Sequence, residues 1–185
     1  MNTVVTSKEA ILAGSRALAA QKGFEAISMR AVAAQCGVAV GSVYNYYASK
    51  AQLLAATVES IWQDIFHMTS ACARPHGYTA CVEWMFGCIL RGSADYPAFF
   101  AQHGAGFAQE EKEAGRAVMQ QYFAHMQNGL LEALRTDERV RPGVFSESFT
   151  PEQLADYTFF SVLSLLSQGR QNCAALVALL ERALY

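Results

Sequence analysis

The segment from Ser28 to Leu54, SMRAVAAQCGVAVGSVYNYYASKAQLL, constrains the fold of this chain more than any other segment. Ser28 is suited to cap the start of a short helix, and Gly37 is suited to end it, because glycine adopts the left-handed conformation without strain. Residues 41–44 predict a second short helix after this turn. Two short helices joined by a glycine turn indicate a helix-turn-helix, whose second helix enters the major groove of DNA.

Two further helices are predicted on either side of this motif. Ser49 and Gln52 have the spacing of a capping box that opens a helix. Residues 7–22 place apolar side chains at helical spacing, and Gly23 follows as a stop signal. The first three helices therefore predict one small domain, whose expected core comprises Ile11, Leu18, Phe24, Ile27, Val32, Val38 and Val43.

Charge is distributed unevenly along the chain, although the net charge is only -2. Residues 1–50 contain five basic and two acidic side chains, for a net charge of +3. The remaining residues contain nine basic and 14 acidic side chains, for a net charge of -5. A basic N-terminal region on an acidic body suits a protein that presents one end to phosphates.

The cysteines and the hydropathy pattern indicate a cellular compartment. The five cysteines are odd in number and irregularly spaced, and no signal peptide precedes them. We therefore expect reduced thiols and a cytoplasmic location. No apolar run approaches the roughly 18 to 20 residues that span a bilayer, so no membrane partner is expected.

The rest of the chain is predicted to be helical, with no alternating pattern of the length that a strand needs, and the fold class is all-α. We expect a helix-turn-helix domain at residues 1–50 and a helical domain at residues 51–185. Pro142 and Gly143 predict a loop at 136–149, and Thr150, Pro151 and Gln153 form a helix start signal. Beyond 7–22 and the helix-turn-helix, the predicted helices cover 49–68, 78–90, 110–134, 151–168 and 172–184.

The penultimate helix predicts an oligomer. Between Leu154 and Leu166 only Asp156 is charged, and apolar side chains surround the helix axis. A helix that is apolar all round is buried on every side. The last two helices are therefore expected to form a two-fold homodimer interface, although burial within one chain would explain the same pattern.

The run from Ile11 to Leu54 resembles the TetR family of bacterial transcription regulators. The resemblance lies in GVxxGSVYxYYxSKxxLL at residues 37–54, preceded by Gly23 and Phe24 after the first helix. It implies an N-terminal DNA-binding domain and a larger helical domain that binds a small ligand and dimerises through its last two helices. The partners implied are a double-stranded DNA operator, a small-molecule effector and a second copy of the chain.

The resemblance also implies which residues contact DNA. Ser42 and Asn45 are candidates for base-edge contacts, since an amide can bind adenine with two hydrogen bonds. Tyr44, Tyr46 and Lys50 are candidates for phosphate contacts, although each tyrosine could instead be a packed aromatic residue. The full set of DNA-binding candidates is Ser28, Arg30, Val40, Gly41, Ser42, Tyr44, Asn45, Tyr46 and Lys50.

Two positions depart from the family pattern. Ala39 stands where the family usually has Ser or Thr, so the recognition helix lacks its ordinary cap, at a cost of about 0.5 to 2 kcal/mol. Ala19 replaces a bulky aromatic residue and leaves a smaller core. Since residues 40–42 offer little hydrogen-bonding chemistry, base recognition is expected to depend on Asn45, Arg30 and DNA shape.

An effector pocket is expected between residues 60 and 165, where aromatic and sulfur side chains are abundant. This composition favours an apolar or aromatic ligand, although such side chains also form ordinary core. His103, beside Gly104 and Gly106, is the expected polar anchor. The candidate lining residues are Trp62, Phe66, Trp84, Met85, Cys88, Phe99, Phe100, His103, Phe107, Met119, Phe123, Met126 and Phe159.

The residue patterns typical of other functions are weak or absent in the sequence. His67, Cys72, His76 and Cys81 could bind zinc, but their spacing is poor for it, and no metal or cofactor is predicted. Cys72 or Cys88 could act as a redox-sensing thiol. No motif of an enzyme is present, so the chain is predicted not to be one. A protein-interaction module that has lost DNA binding stays an alternative.

The sequence thus predicts a ligand-responsive regulator of transcription. A homodimer would bind a palindromic operator and act as a repressor. A small apolar or aromatic effector would then favour a conformation that no longer matches the two half-sites. The helix predicted at 49–68 would transmit the change between the two domains.

Overall fold

The computed structural model describes residues 6–67, 75–97 and 109–185. Within these residues the chain forms α-helices and no strand, apart from an isolated bridge between Ser146 and Phe149. The all-α prediction is confirmed. The helices are α1 (Lys8–Lys22), α2 (Met29–Cys36), α3 (Val40–Tyr44), α4 (Lys50–His67), α5 (Tyr78–Asp95), α6 (Gln109–Arg135), α7 (Pro151–Ser167) and α8 (Ala174–Leu184), with a 3₁₀ turn at Phe24–Ala26 between α1 and α2.

The N-terminal helices begin and end where local sequence signals predict. Ala10 N donates to Ser7 Oγ at 3.1 Å, and α1 ends at Gly23, whose φ is 78°. At the start of α4, Gln52 N donates to Ser49 Oγ at 3.2 Å, while Gln52 Oε1 accepts from Ala48 N at 3.0 Å. The Gln52 side chain thus caps the residue before the one that a capping box predicts.

The core of the first three helices follows the prediction at all positions but one. Ile11, Ile27, Val32 and Val43 are fully buried, and Leu18 and Phe24 are nearly so. Val38 is only half-buried. It lies in the turn between α2 and α3, where one side of a side chain faces solvent.

The later helices differ from the prediction at their ends. α5 continues five residues beyond Leu90, to Asp95. α7 begins with the predicted capping box, in which Gln153 N donates to Thr150 Oγ1 at 3.2 Å and Thr150 N donates to Gln153 Oε1 at 3.0 Å. α8 begins two residues later than predicted, at Ala174.

The chain divides into two compact units by the density of its internal contacts. Unit 1 comprises the described residues within Met1–His67 and Gly92–Gln120. Unit 2 comprises those within Met68–Arg91 and Gln121–Tyr185. The continuous helices α5 and α6 each contribute to both units, so the domain boundary predicted at residue 50 concerns function and stays a prediction.

The loop between α6 and α7 is tied into unit 2. Arg141 N donates to Leu184 O at 2.9 Å, and the Arg141 side chain donates to Ala183 O at 3.0 Å. Asp137 is buried in the same loop, and its carboxylate accepts from Tyr78 N at 2.8 Å. The loop therefore connects the start of α5 to the end of α8.

One side of α7 is exposed in the single chain. Leu154, Phe159 and Val162 are buried, but Tyr157 is 62% exposed and Phe160 is 58% exposed. Leu179 on α8 is 65% exposed. Large apolar side chains on both closing helices are thus left uncovered by the chain itself. Among the described residues, no helix is both long and apolar enough to span a membrane.

Candidate DNA-binding interface

The turn between α2 and α3 is fixed by backbone geometry. Ala31 N donates to Ser28 Oγ at 3.1 Å, which caps α2. Gly37 has the left-handed conformation, with φ 66° and ψ 30°. Val38 N donates to Ala33 O at 2.9 Å and Gly37 N to Ala34 O at 3.2 Å, the pair of bonds that defines a Schellman motif. These bonds set the direction in which α3 leaves the turn.

The recognition helix α3 is short and has no side-chain cap at Ala39, as the sequence predicts. Three elements hold it instead. Val43 is fully buried beneath it, Tyr47 is buried directly after it, and Tyr47 N donates to Val43 O at 3.0 Å. Packing from below therefore compensates for the missing cap, and the opposite face of α3 is left accessible.

All nine predicted DNA-binding residues are accessible to solvent. Arg30, Gly41, Tyr44, Asn45 and Tyr46 are exposed. The other four, Ser28, Val40, Ser42 and Lys50, are partly exposed. Accessibility is what a DNA contact requires.

Two hydroxyl groups of this surface have partners within the chain. Ser28 Oγ accepts from Ala31 N, which leaves its own proton available to a phosphate oxygen. Tyr46 donates its hydroxyl proton to Thr6 O at 2.7 Å. Tyr46 can therefore donate to a phosphate only if it releases Thr6. No local sequence signal predicts this bond, because its two residues are 40 positions apart.

The positive charge of residues 1–50 is not all directed outward. Arg16 is only partly exposed, and its guanidinium donates to Ser60 Oγ on α4. Lys8, Lys22 and Arg30 are exposed. The count of basic residues therefore overstates the charge that this end of the chain can offer to phosphates.

The profile of the family described as "Bacterial regulatory proteins, tetR family" matches residues 11–57. The HTH-type transcriptional repressor KstR of Mycolicibacterium smegmatis is 37% identical over 70 residues. The matched segment, 47 of the 185 residues, is thus similar to the TetR family. The match with this repressor covers 38% of this chain and 34% of the relative, so it spans about a third of the length of that curated protein.

Solved structures show the same fold over nearly the whole chain. The regulator FadR from Bacillus subtilis, in complex with stearoyl-CoA, has a TM-score of 0.58 and 16% identity, covering 96% of this chain and 95% of the other. The multidrug binding protein EbrR, complexed with ethidium, has a TM-score of 0.60 and 18% identity, covering 96% and 97%. Likeness at this identity shows the fold alone. The curated relative matched over the N-terminal segment is named a transcriptional repressor, which is the class of function that the sequence predicts.

The pocket residues predicted for this chain occur in both units. In unit 1, the rings of Trp62 and Phe66 are stacked with centroids 6.0 Å apart. In unit 2, Phe123 and Phe159 are in edge contact at 5.2 Å. Met85, Cys88 and Met126 are buried, Met119 is buried in unit 1, and Trp84 is partly exposed. Phe99, Phe100, His103 and Phe107 lie outside the described residues.

Unit 2 contains a cavity of about 700 Å³ in a different place. It lies between the start of α5, the last turns of α6 and residues 136–139. None of the predicted lining residues borders it. Whether the predicted residues line an effector pocket is not tested by this cavity and stays a prediction.

The alternative metal and thiol sites can be placed only in part. Cys72 and the side chain of His67 lie outside the described residues. In the part of the chain that the structure describes, no group of three or more His, Cys, Asp or Glu side chains could hold a metal ion. Cys88 is buried, and Arg91 donates to its sulfur at 3.7 Å. Burial raises the pKa of the Cys36 and Cys173 thiols, which lowers their reactivity.

Proposed function

We propose that this chain is a ligand-responsive transcriptional repressor that binds a palindromic operator as a homodimer. The observation that supports this most is that one face of α3 is accessible. The backbone hydrogen bonds of the turn before α3 fix the direction of this helix. Asn45 and Arg30 are exposed on this surface and have the chemistry for base-edge contacts. The curated relative matched over this region is itself named a transcriptional repressor.

A second copy of the chain is proposed to cover the apolar face of α7 and α8. Tyr157, Phe160 and Leu179 are each more than half exposed, and large apolar side chains that are exposed on the closing helices favour a protein interface. In a two-fold dimer the same face is used by both copies. Dimerisation also supplies two recognition helices, which a palindromic operator requires.

The proposed effector is a small apolar or aromatic molecule, and the proposed location is the cytoplasm, where an operator would be met. Support for this ligand class comes from the buried aromatic and sulfur side chains of α5, α6 and α7, such as Met85, Met126 and Phe159. The fold accommodates such ligands, since FadR holds stearoyl-CoA and EbrR holds ethidium.

Selection of DNA from a random duplex pool by the purified protein tests DNA binding directly. We expect enrichment of a palindrome with two half-sites about one helical turn apart, roughly 10 base pairs centre to centre. Binding should weaken steeply as salt rises, because phosphate contacts release counterions. No enriched sequence and no dependence on salt would favour an interaction module that has lost DNA binding.

The effector is tested on the selected operator. Stearoyl-CoA is a suitable apolar probe, and ethidium is a suitable aromatic one. Thermal unfolding with ethidium is measured in the absence of DNA. An effector raises Tm, because a ligand that binds only the folded state stabilises it. An effector should also weaken operator binding roughly 5- to 150-fold, the usual range of coupling between two sites.

A further inference from the structure

A polar cluster lies within unit 1, where α1, α4 and the end of α5 meet. The hydroxyl groups of Ser15 and Thr57 are 2.7 Å apart, and Thr57 Oγ1 also donates to Leu53 O at 2.7 Å. Ser15 and Thr57 are both fully buried. Buried polar groups that satisfy each other favour one arrangement of their helices over others, because any shift leaves donors or acceptors unpaired.

Three side chains extend this cluster from α1 to the end of α5. Tyr96 donates its hydroxyl proton to Asp64 Oδ2 at 2.6 Å. The guanidinium of Arg16 on α1 donates to Ser60 Oγ on α4. The phenol therefore ties the end of α5 to a carboxylate on α4, and Arg16 ties α1 to α4 one turn earlier. Burial, followed by the hydrogen bond to Asp64, raises the pKa of Tyr96, so the phenol keeps its proton at neutral pH.

Close packing supports the same junction one turn earlier in the chain. Gly92 is buried against α4, and a Cβ atom at this position would lie 2.5 Å from Ile65 Cγ1. Only glycine permits this approach without a shift of Ile65. Tyr96 N donates to Gly92 O at 2.9 Å, so the end of α5 and the Tyr96 backbone are held together.

We propose that Tyr96 is a positioning residue that fixes the orientation of the helix-turn-helix relative to the last turn of α5, within unit 1, by bridging the end of α5 to Asp64 on α4. This inference rests on the proposed function. It adds a connection between α5 and the helix-turn-helix that does not depend on transmission along the whole of α4. Since α5 is one continuous helix from Tyr78 to Asp95, displacement of α5 by an effector would act on the Tyr96 bridge and through it on α4, to which Ser15 and Arg16 hold α1. In a dimer, the orientation of each helix-turn-helix sets which spacing of half-sites both copies can bind together.

The test replaces Tyr96 by phenylalanine, which removes the bridging oxygen and keeps the ring. Wild type and Tyr96→Phe are compared on the selected operator and on the same operator with one base pair inserted between its half-sites. We expect the preference of the wild type for the selected spacing to fall roughly fivefold or more in Tyr96→Phe. Binding to a duplex with a single half-site should not change.

Tyr78→Phe is the matched control. It also removes a buried phenol hydroxyl, which in the wild type donates to Thr158 Oγ1 at 2.8 Å within unit 2. Tyr78→Phe should keep the full preference for spacing. Equal preference in wild type and Tyr96→Phe would overturn the proposal, and so would an equal loss in both variants. If Tyr96→Phe does not fold, Asp64→Asn weakens the same bridge and replaces it in the comparison.

Hydrogen exchange of the free protein separates this inference from the proposed function. Tyr96→Phe should speed amide exchange in α1 and in α4 near Asp64 by roughly threefold to tenfold, and should leave α8 unchanged. Hydrogen exchange reports on Tyr96 whether or not the protein selects a palindrome. If the wild type selects no palindrome but exchange changes as expected, the proposed function is contradicted and the role of Tyr96 is supported. Unchanged exchange in α1 and α4 would show that Tyr96 holds neither helix in place.

Discussion

The carboxylate of Asp137 accepts a hydrogen bond from the backbone N–H of Tyr78, at 2.8 Å and across 59 residues of sequence. Tyr78 is the first residue of α5, so a remote side chain satisfies one of the backbone donors that a helix start leaves unpaired. The same carboxylate accepts from Arg139 Nε at 3.0 Å and from the hydroxyl of Tyr185. Asp137 thus connects three parts of unit 2: the start of α5, the loop that follows α6, and the C-terminal residue Tyr185.

Replacement of Asp137 by alanine should lower the free energy of unfolding by about 1 to 3 kcal/mol, because it leaves the buried N–H of Tyr78 without an acceptor. Urea unfolding monitored by circular dichroism measures this loss. Glu138→Ala is the control, since Glu138 is exposed and should change stability by less than about 0.5 kcal/mol. Similar losses in both variants would contradict the role assigned to Asp137.

The stability that Asp137 provides should depend on pH. The Arg139 side chain, aided by the hydroxyl of Tyr185 and the N–H of Tyr78, holds the pKa of Asp137 well below its usual range. A carboxyl group whose pKa is lowered by folding stabilises the protein above its unfolded pKa of about 3.9, and this contribution is lost as pH falls toward the folded pKa. The difference in unfolding free energy between wild type and Asp137→Asn should therefore shrink below about pH 4. A constant difference between pH 7 and pH 3 would refute the assignment.

Gly92→Ala should destabilise the chain by about 1 to 3 kcal/mol, because the new methyl group overlaps the buried side chain of Ile65. Gly87→Ala on the same helix is the control. Its Cβ would meet only the flexible end of Arg91, at 3.3 Å, so the gain in helix propensity of up to about 1 kcal/mol should prevail. Thermal or urea unfolding of the two variants should give opposite signs.

The sequence predicts the local features of this fold well. Ser28 and Thr150 cap helices as predicted, and Gly37 ends α2 in the left-handed conformation. Each of these features depends on residues within a few positions of one another. Their physical cause is therefore present in a short stretch of sequence.

Features that depend on distant residues could not be predicted in the same way. α5 continues past Leu90 although Gly92 is a weak helix former, because Gly92 fits against Ile65, 27 positions earlier. The bonds of Tyr96 with Asp64 and of Tyr46 with Thr6 also join residues far apart in sequence. The DNA-binding candidates were predictable because they cluster in one segment and their chemistry is local.

Phe160→Asp should dissociate the proposed dimer. Phe160 is 58% exposed in the single chain, so an aspartate at this position should not destabilise the monomer. In the proposed dimer, the same aspartate would place an unpaired charge in the interface between two copies. We expect dimerisation to weaken by about 2 kcal/mol or more, measured by sedimentation velocity over a range of concentrations. Phe160→Leu keeps an apolar side chain and should stay dimeric. If wild type is itself a monomer at micromolar concentration, this face is not a dimer interface.

Asn45→Ala and Lys50→Ala should weaken operator binding in different ways. Asn45 is exposed at the end of α3, so its loss should cost about 1 to 3 kcal/mol and relax the base preference at one position of each half-site. Lys50 begins α4 and is assigned to a phosphate, so its loss should weaken all sequences about equally and reduce the salt slope by about one. Repeating the DNA selection and the salt titration with each variant measures both effects. An unchanged base preference in Asn45→Ala would remove this residue from base recognition and leave Arg30 and DNA shape to account for specificity.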